Sequence, residues 1–175
     1  MRPAPRNGRL CQAAGAAATA PTPARDNSYP EMARSDPSAE RFPAISVRQP
    51  AADLIVRGAL RRDRRTRPTR FRGWMLVHAS QGVRREEVAR HRAALGLERD
   101  AAYEPERGKL VGMAWLEDCV ADGKEWAYVW AKPKRFRVAV PCRGHYSIPF
   151  YVPASLVRGT PAEKVKAGKL EALSS

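Results

Sequence analysis

Residues 58–73 read GALRRDRRTRPTRFRG, and the rest of the chain is organised around them. The stretch holds seven Arg and a single acid, Asp63. With Arg57 included, the run to Arg72 carries eight Arg against one Asp, a net +7, which is half of the chain's +14. Like charges this dense repel one another unless a polyanion relieves them. Pro68 has no amide hydrogen and suits a turn or a sheet edge. If Arg61 to Arg67 is extended, Arg61, Asp63, Arg65 and Arg67 share one face while Arg62 and Arg64 take the other.

Upstream, AISVR (44–48) alternates Ile45 and Val47 with Ser46 and Arg48, the period-two pattern of a half-buried strand. Pro50 then sits where a first helical turn tolerates it, and Ala51, Leu54, Ile55 and Gly58 predict a short helix closed by its glycine. Downstream, Trp74 to Ala79 is the clearest buried strand. Ser80 is a candidate N-cap for a helix through Val83, Val88 and Leu95, ended by Gly96. A polar loop (97–108) leads to KLVGMAWLEDCV (109–120), where Gly112 is a candidate bulge. Trp126 to Ala131 and Arg135 to Val140 predict two further strands split by Lys132, Pro133 and Lys134, and YSIPFYV (146–152) follows. Five or six strands with two short helices predict an α+β, mainly β, small barrel.

The 175 residues fit one domain with tails. Residues 1–40 hold ten Ala and six Pro with five Arg against four acids, a composition that cannot bury enough surface to offset its ordering entropy. The expected boundaries are a disordered leader at 1–41, a domain at 42–155 and a basic tail at 156–175 that is a short helix or frayed. Met1 and Met32 are both candidate starts. Three cysteines at wide spacing, Cys11, Cys119 and Cys142, outline neither a disulfide framework nor a zinc site and fit reduced thiols in a cytoplasmic protein. No run approaches the roughly 20 apolar residues of a spanning helix. Gln12, Gly15 and Thr19 interrupt the apolar region that an export signal needs. A sequence pI near 10.5 points to polyanions, nucleic acid first.

The motifs ISVRQP (45–50) and LIVRG (54–58), then RFRG (70–73), LVHAS (76–80), KLVGMAWLEDC (109–119) and KRFRVAVPCRGHYSIP (134–149), occur in one order. In that order and content the chain resembles the ASCH (activating signal cointegrator homology) family of the PUA-like superfamily, over about Ala44 to Pro153. The family's motif has a glycine, a lysine two residues on, an acid five on and an arginine seven on. Here these positions are Gly58, Leu60, Asp63 and Arg65. The resemblance implies a PUA-like β-barrel whose cleft meets RNA or a nucleotide, and hydrolase activity in some relatives. Leucine at position 60 can neither exchange a proton nor stabilise an oxyanion, which weakens the lysine-dependent chemistry.

The candidate nucleic-acid contacts are Gln49, Arg57, Arg61, Arg62, Arg64, Arg65, Arg67, Arg70 and Arg72. RNA, single-stranded or structured, is the expected partner, with a nucleoside ligand as an alternative; no cofactor, metal or membrane is implied. Asp63 is the one catalytic candidate if the protein is a hydrolase of RNA or of a modified nucleoside. Asp63 and Arg65 also fit a bidentate pair that braces the barrel, and ion pairs are commonly structural. Arg67 stands where relatives often carry an aromatic residue, and a guanidinium plane also stacks on bases. Gln49 fits either a base edge or the strand-to-helix turn. His78, inside an apolar strand, reads as a satisfied core-edge histidine, and His145 lies beside Tyr146 where the relatives' cleft opens. Trp115, Trp126, Tyr128, Trp130 and Phe136 read as core and rim, with room for one or two to stack a base. A protein- or small-ligand module on the same barrel is the third reading.

Overall fold

A computed structural model describes residues 40–99 and 101–165. Residues 1–39 of the expected leader (1–41) and the two candidate starts lie outside the described residues, as do residues 166–175 of the expected tail, while Arg41, expected in the leader, is the first residue of the sheet. Strand β1 (Arg41–Gln49) enters helix α1 (Ala51–Val56) through Pro50. The short strand β2 (Arg62–Arg65) precedes β3 (Gly73–Val83), and two short helices, α2 (Arg85–Arg90) and α3 (Arg92–Leu95), follow. A long hairpin of β4 (Lys109–Asp122) and β5 (Glu125–Pro141) leads to β6 (Phe150–Pro153) and two 3-10 turns, Ala154–Val157 and Pro161–Lys164.

The six strands form one sheet in the order β2-β5-β4-β3-β1-β6. It curls into a half-barrel, and the domain is mainly β. Only β1 and β3 run parallel, so the chain between them must cross over, and it spends α1 and β2 in doing so. Helix α1 presents Ala52, Ile55 and Val56 to a core that contains Ile45, Val77, Val111, Leu116, Tyr128 and Trp130. A second cluster gathers Phe42, Leu76, Leu110, Met113, Phe136 and Phe150. Successive residues of one strand, such as Leu76 and Val77, enter different clusters, as the strand period requires.

Gly58 closes α1 with φ +79, and a side chain there would also meet Pro133 Cγ at 3.0 Å. Gly112 is held by space rather than by dihedral angle. A Cβ on it would stand 2.5 Å from the Lys134 carbonyl oxygen and 2.7 Å from Val56 Cγ1. Pairing with both β3 and β5 shifts register beside Gly112, so the expected bulge is present.

Four expectations change. The predicted helix from Ser80 begins later, because β3 continues to Val83, which pairs with Gln49; the Arg84 amide then donates to the Gln49 carbonyl at 2.7 Å. Sheet pairing takes the residues that a serine cap would have turned, and the helix itself divides at His91 before ending at Gly96 (φ +70). The two strands expected around Lys132–Lys134 are one strand, because Lys132 adopts φ +46 and the ladder resumes at Lys134 opposite Met113. Residues 156–165 are no frayed tail: Val157, Ala162 and Val165 are buried in the second core cluster. Among the described residues no helix is long and apolar enough to cross a membrane.

Candidate nucleic-acid interface

Strand β2 is an edge strand, paired only with β5 from Arg62 opposite Val129 to Arg65 opposite Trp126. Its alternation is the one the sequence implies. Asp63 and Arg65 turn inward and are half-buried, whereas Arg62 and Arg64 are exposed. The Arg65 Nε donates to Asp63 Oδ2 at 2.5 Å, Nη1 donates to the Ser46 carbonyl at 3.1 Å, and the guanidinium carbon lies 5.9 Å from the Tyr128 ring centroid. The pair meets through one nitrogen rather than two, and Arg65 Nη2 is buried with no hydrogen-bond partner. Burial pushes the Asp63 carboxyl above its ordinary value, and the Arg65 guanidinium opposes that push. The short charge-assisted contact needs the carboxylate form.

After β2 the chain forms a ridge, residues 65–70, fixed from beneath. The Tyr128 hydroxyl donates to the Arg67 carbonyl at 2.9 Å. Burial pushes that phenol up to about 12, so it keeps its proton. Arg72 Nη1 donates to the Thr69 carbonyl at 3.0 Å and to the Phe71 carbonyl at 2.8 Å. A ridge tied at Arg65, Arg67 and Thr69 has its backbone held in place beneath its outward side chains.

The arginines divide into two groups. Arg64 pairs with Asp122 (3.0 Å) and Arg72 with Asp118 (2.7 Å), both acids arriving from β4. The sequence shows only Asp63 within the run, so these neutralising partners become visible only when the sheet is assembled. Arg57, Arg61, Arg62, Arg67 and Arg70 stay exposed, with no ion-pair partner among the described residues.

A cleft of about 410 Å³ is lined by Arg65, Thr66, Arg67, Tyr146 and Ile148. Residues 65–67 leave one edge strand of the sheet, and 146–148 approach the opposite edge strand. The cleft is therefore the seam where the half-barrel does not close. Tyr146 is 80% exposed, and its ring stacks on His145 with centroids 4.4 Å apart. The loop carrying it is seated against a buried polar chain. His78 Nε2 donates to the Cys142 carbonyl at 3.0 Å, which leaves Nδ1 to accept from the Ser46 hydroxyl at 3.2 Å. A Cβ on Gly144 would come within 2.5 Å of His78 Nδ1 and 2.8 Å of Ser46 Oγ, so the loop lies flat on the imidazole. Burial lowers the His78 pKa, against the pull of the Cys142 carbonyl, and the ring serves as a spacer. Next along the ridge, Pro68, Thr69, Arg70, Cys119 and Trp126 line a second recess of about 430 Å³.

Gln49 takes the turn-holding role. It is fully buried, its Nε2 donates to the Glu106 carbonyl (2.9 Å), and its Oε1 accepts from the Asp53 amide (3.1 Å). The Tyr103 hydroxyl, 2.9 Å from Asp53 Oδ2 and 3.2 Å from Gln49 Oε1, completes the clamp on the 97–108 loop. As a contact for RNA, Gln49 is corrected by its burial. Leu60 is half-buried between two apolar clusters. Thr66, Tyr146 and Ile148 join the cleft from outside the predicted set, because nothing local couples residues 66 and 146. Among the described residues no three His, Cys, Asp or Glu side chains gather as a metal site. No family model matches the chain, and no curated protein matches it.

Proposed function

We propose that this protein is a single-stranded RNA-binding module of the ASCH, PUA-like kind that its motif order resembles, acting in the cytoplasm. The observation that carries this reading is the seam cleft, with guanidinium groups on one lip and the exposed Tyr146 on the other. Its volume falls in the usual range for small-ligand sites, about 300–1,000 Å³, which suits one nucleotide. A base stacks on Tyr146, as bases do on aromatic platforms, while Arg67 meets its phosphate or lies across its plane. Arg61, Arg62 and Arg70 extend the positive field to flanking phosphates.

The hydrolase reading receives less support. Leu60 offers no proton, and the Asp63 carboxylate is held by Arg65 and is not among the residues lining the cleft. A binding site needs neither group to be free.

Fluorescence anisotropy with a labelled single-stranded RNA tests the reading. With three phosphate contacts, log Kd plotted against log salt should have a slope of about 2 in magnitude, at about 0.7 per contact. Arg67→Ala and Tyr146→Ala should each weaken binding, and Arg64→Ala should change it least. Affinity that is indifferent to salt, or unaltered by both cleft substitutions, would overturn the proposal. Saturation by a nucleoside monophosphate with no gain from longer strands would reassign the cleft to a small ligand.

A further inference from the structure

We infer that the recess lined by residues 68–70 is a second base-binding subsite, so that the RNA recognised by the cleft runs along the ridge and places consecutive bases in the two hollows. This rests on the RNA-binding reading of the cleft. Six consecutive residues divide between the two hollows: 65–67 line the first, and 68–70 line the second. Thr66 and Thr69 are three residues apart and so no more than about 11 Å from each other. A stacked strand advances about 3.4 Å per nucleotide, and one whose bases are splayed into separate hollows advances further, so neighbouring nucleotides match the separation.

The lining of the second recess supplies the chemistry a base needs. The indole of Trp126 is half-buried against the core, which presents it as a fixed platform. Arg70 is exposed at the rim, and Arg72 lies two residues on. At the edge of the second recess, Pro68 has no amide hydrogen to desolvate, so a sugar can pass over it without leaving a donor unpaired. The charge is complementary in sequence, with Arg67 before the proline and Arg70 after it, each able to meet the phosphate on its own side.

Cys119 makes the recess directly readable. It is a free, half-buried thiol in the lining, whereas Cys142 is buried and burial pushes its thiol up to about 11, so it reports only on unfolding. The full chain would be alkylated with iodoacetamide, and Cys119 and Cys142 followed separately by peptide mass spectrometry, in the presence of uridine monophosphate or of uridine oligonucleotides of increasing length. Cys119 should be protected by the oligonucleotides and not by the mononucleotide. In anisotropy competition, Trp126→Ala should weaken oligonucleotide binding by about 5- to 150-fold, the range for one lost base–aromatic stack, and leave the mononucleotide unaffected. Because Trp126 also packs on the core, Arg70→Ala provides the exposed second variant, with the same selective loss for longer strands. Oligonucleotides that bind in the cleft while Cys119 alkylates at its free rate would overturn the second subsite alone. If neither mononucleotide nor oligonucleotide binds, the RNA-binding reading fails and the subsite falls with it.

Discussion

Replacing Arg65 by methionine removes a cation from beneath the cleft while keeping an unbranched, similarly long side chain. The consequence follows from the carboxylate left behind. Asp63 and Arg65 expose only 12% and 17% of their side chains, so neither is rescued fully by water. Breaking a buried pair by deleting one partner costs about 3–5 kcal/mol. Against a total stability of about 5–15 kcal/mol, the variant still folds. For a chain of this length its midpoint should drop by about 6–20 °C, at about 2–4 °C per kcal/mol. The deficit should depend on pH with a definite sign. Without Arg65 only burial dominates at Asp63, and its folded pKa rises further above the ordinary 3.8. A raised acid contributes stability that is full below the unfolded value and lost as pH rises through the folded one. The variant should therefore lie closer to the parent near pH 4 than at pH 7. Adding Asp63→Asn should recover part of the loss at pH 7, because the amide leaves no buried charge. Urea melts followed by tryptophan fluorescence read the free energies and their pH dependence, and thermal melts read the midpoint. A loss under about 1 kcal/mol at both pH values, the size of an exposed pair, would refute the reasoning. So would a double variant weaker than the single one.

Two other outcomes are expected. Asp118 is held below its ordinary value first by the Cys119 amide and then by Arg72; Asp118→Asn should free that guanidinium, tighten RNA binding and steepen the salt slope by about 0.7, and unchanged affinity would count against a role for Arg72. His78 has a lowered folded pKa, so protons favour the unfolded chain: stability should fall as pH drops through 6.5 toward the folded value, by at most about 1.4 kcal/mol per pH unit, and His78→Gln should flatten that part of a urea-midpoint profile. A parent profile already flat there would sink the assignment of His78 as buried and neutral.

The elements legible in the sequence are those whose cause is local. The Ile45/Val47 alternation gives β1, the glycine at 58 ends α1, and the two-residue period places Asp63 with Arg65 and apart from Arg64. The bulge at Gly112 was also open to sequence reasoning, although its reason, the carbonyl of Lys134 and the methyl of Val56, was not. Local chemistry misleads where distant partners decide. Ser80 looks like a cap until β1 claims Val83, and Pro133 looks like a break until Lys134 finds Met113. The charge run illustrates the same limit, since Asp118 and Asp122 lie 46 and 58 residues from the arginines they neutralise. Leu60 and Gln49 differ in kind. The first was correctly a hydrophobe in a charged stretch, and the second is a polar residue whose partners, Glu106 and Tyr103, come from a loop with no strong pattern.

A seam between the two edges of one sheet has no lip that can be set independently. Its gape is the angle left after each strand has turned on its neighbour, and bulges are where that turning is greatest. Pairing of β4 with β5 shifts register at three places, between Leu110 and Gly112, Met113 and Trp115, and Leu116 and Asp118. These shifts sit in the middle of the sheet, whereas the cleft lies between its outermost strands. The aperture of the cleft is thus dimensioned by residues that do not line it, and the long central hairpin acts as the calliper between the lip that carries Arg67 and the lip that carries Tyr146.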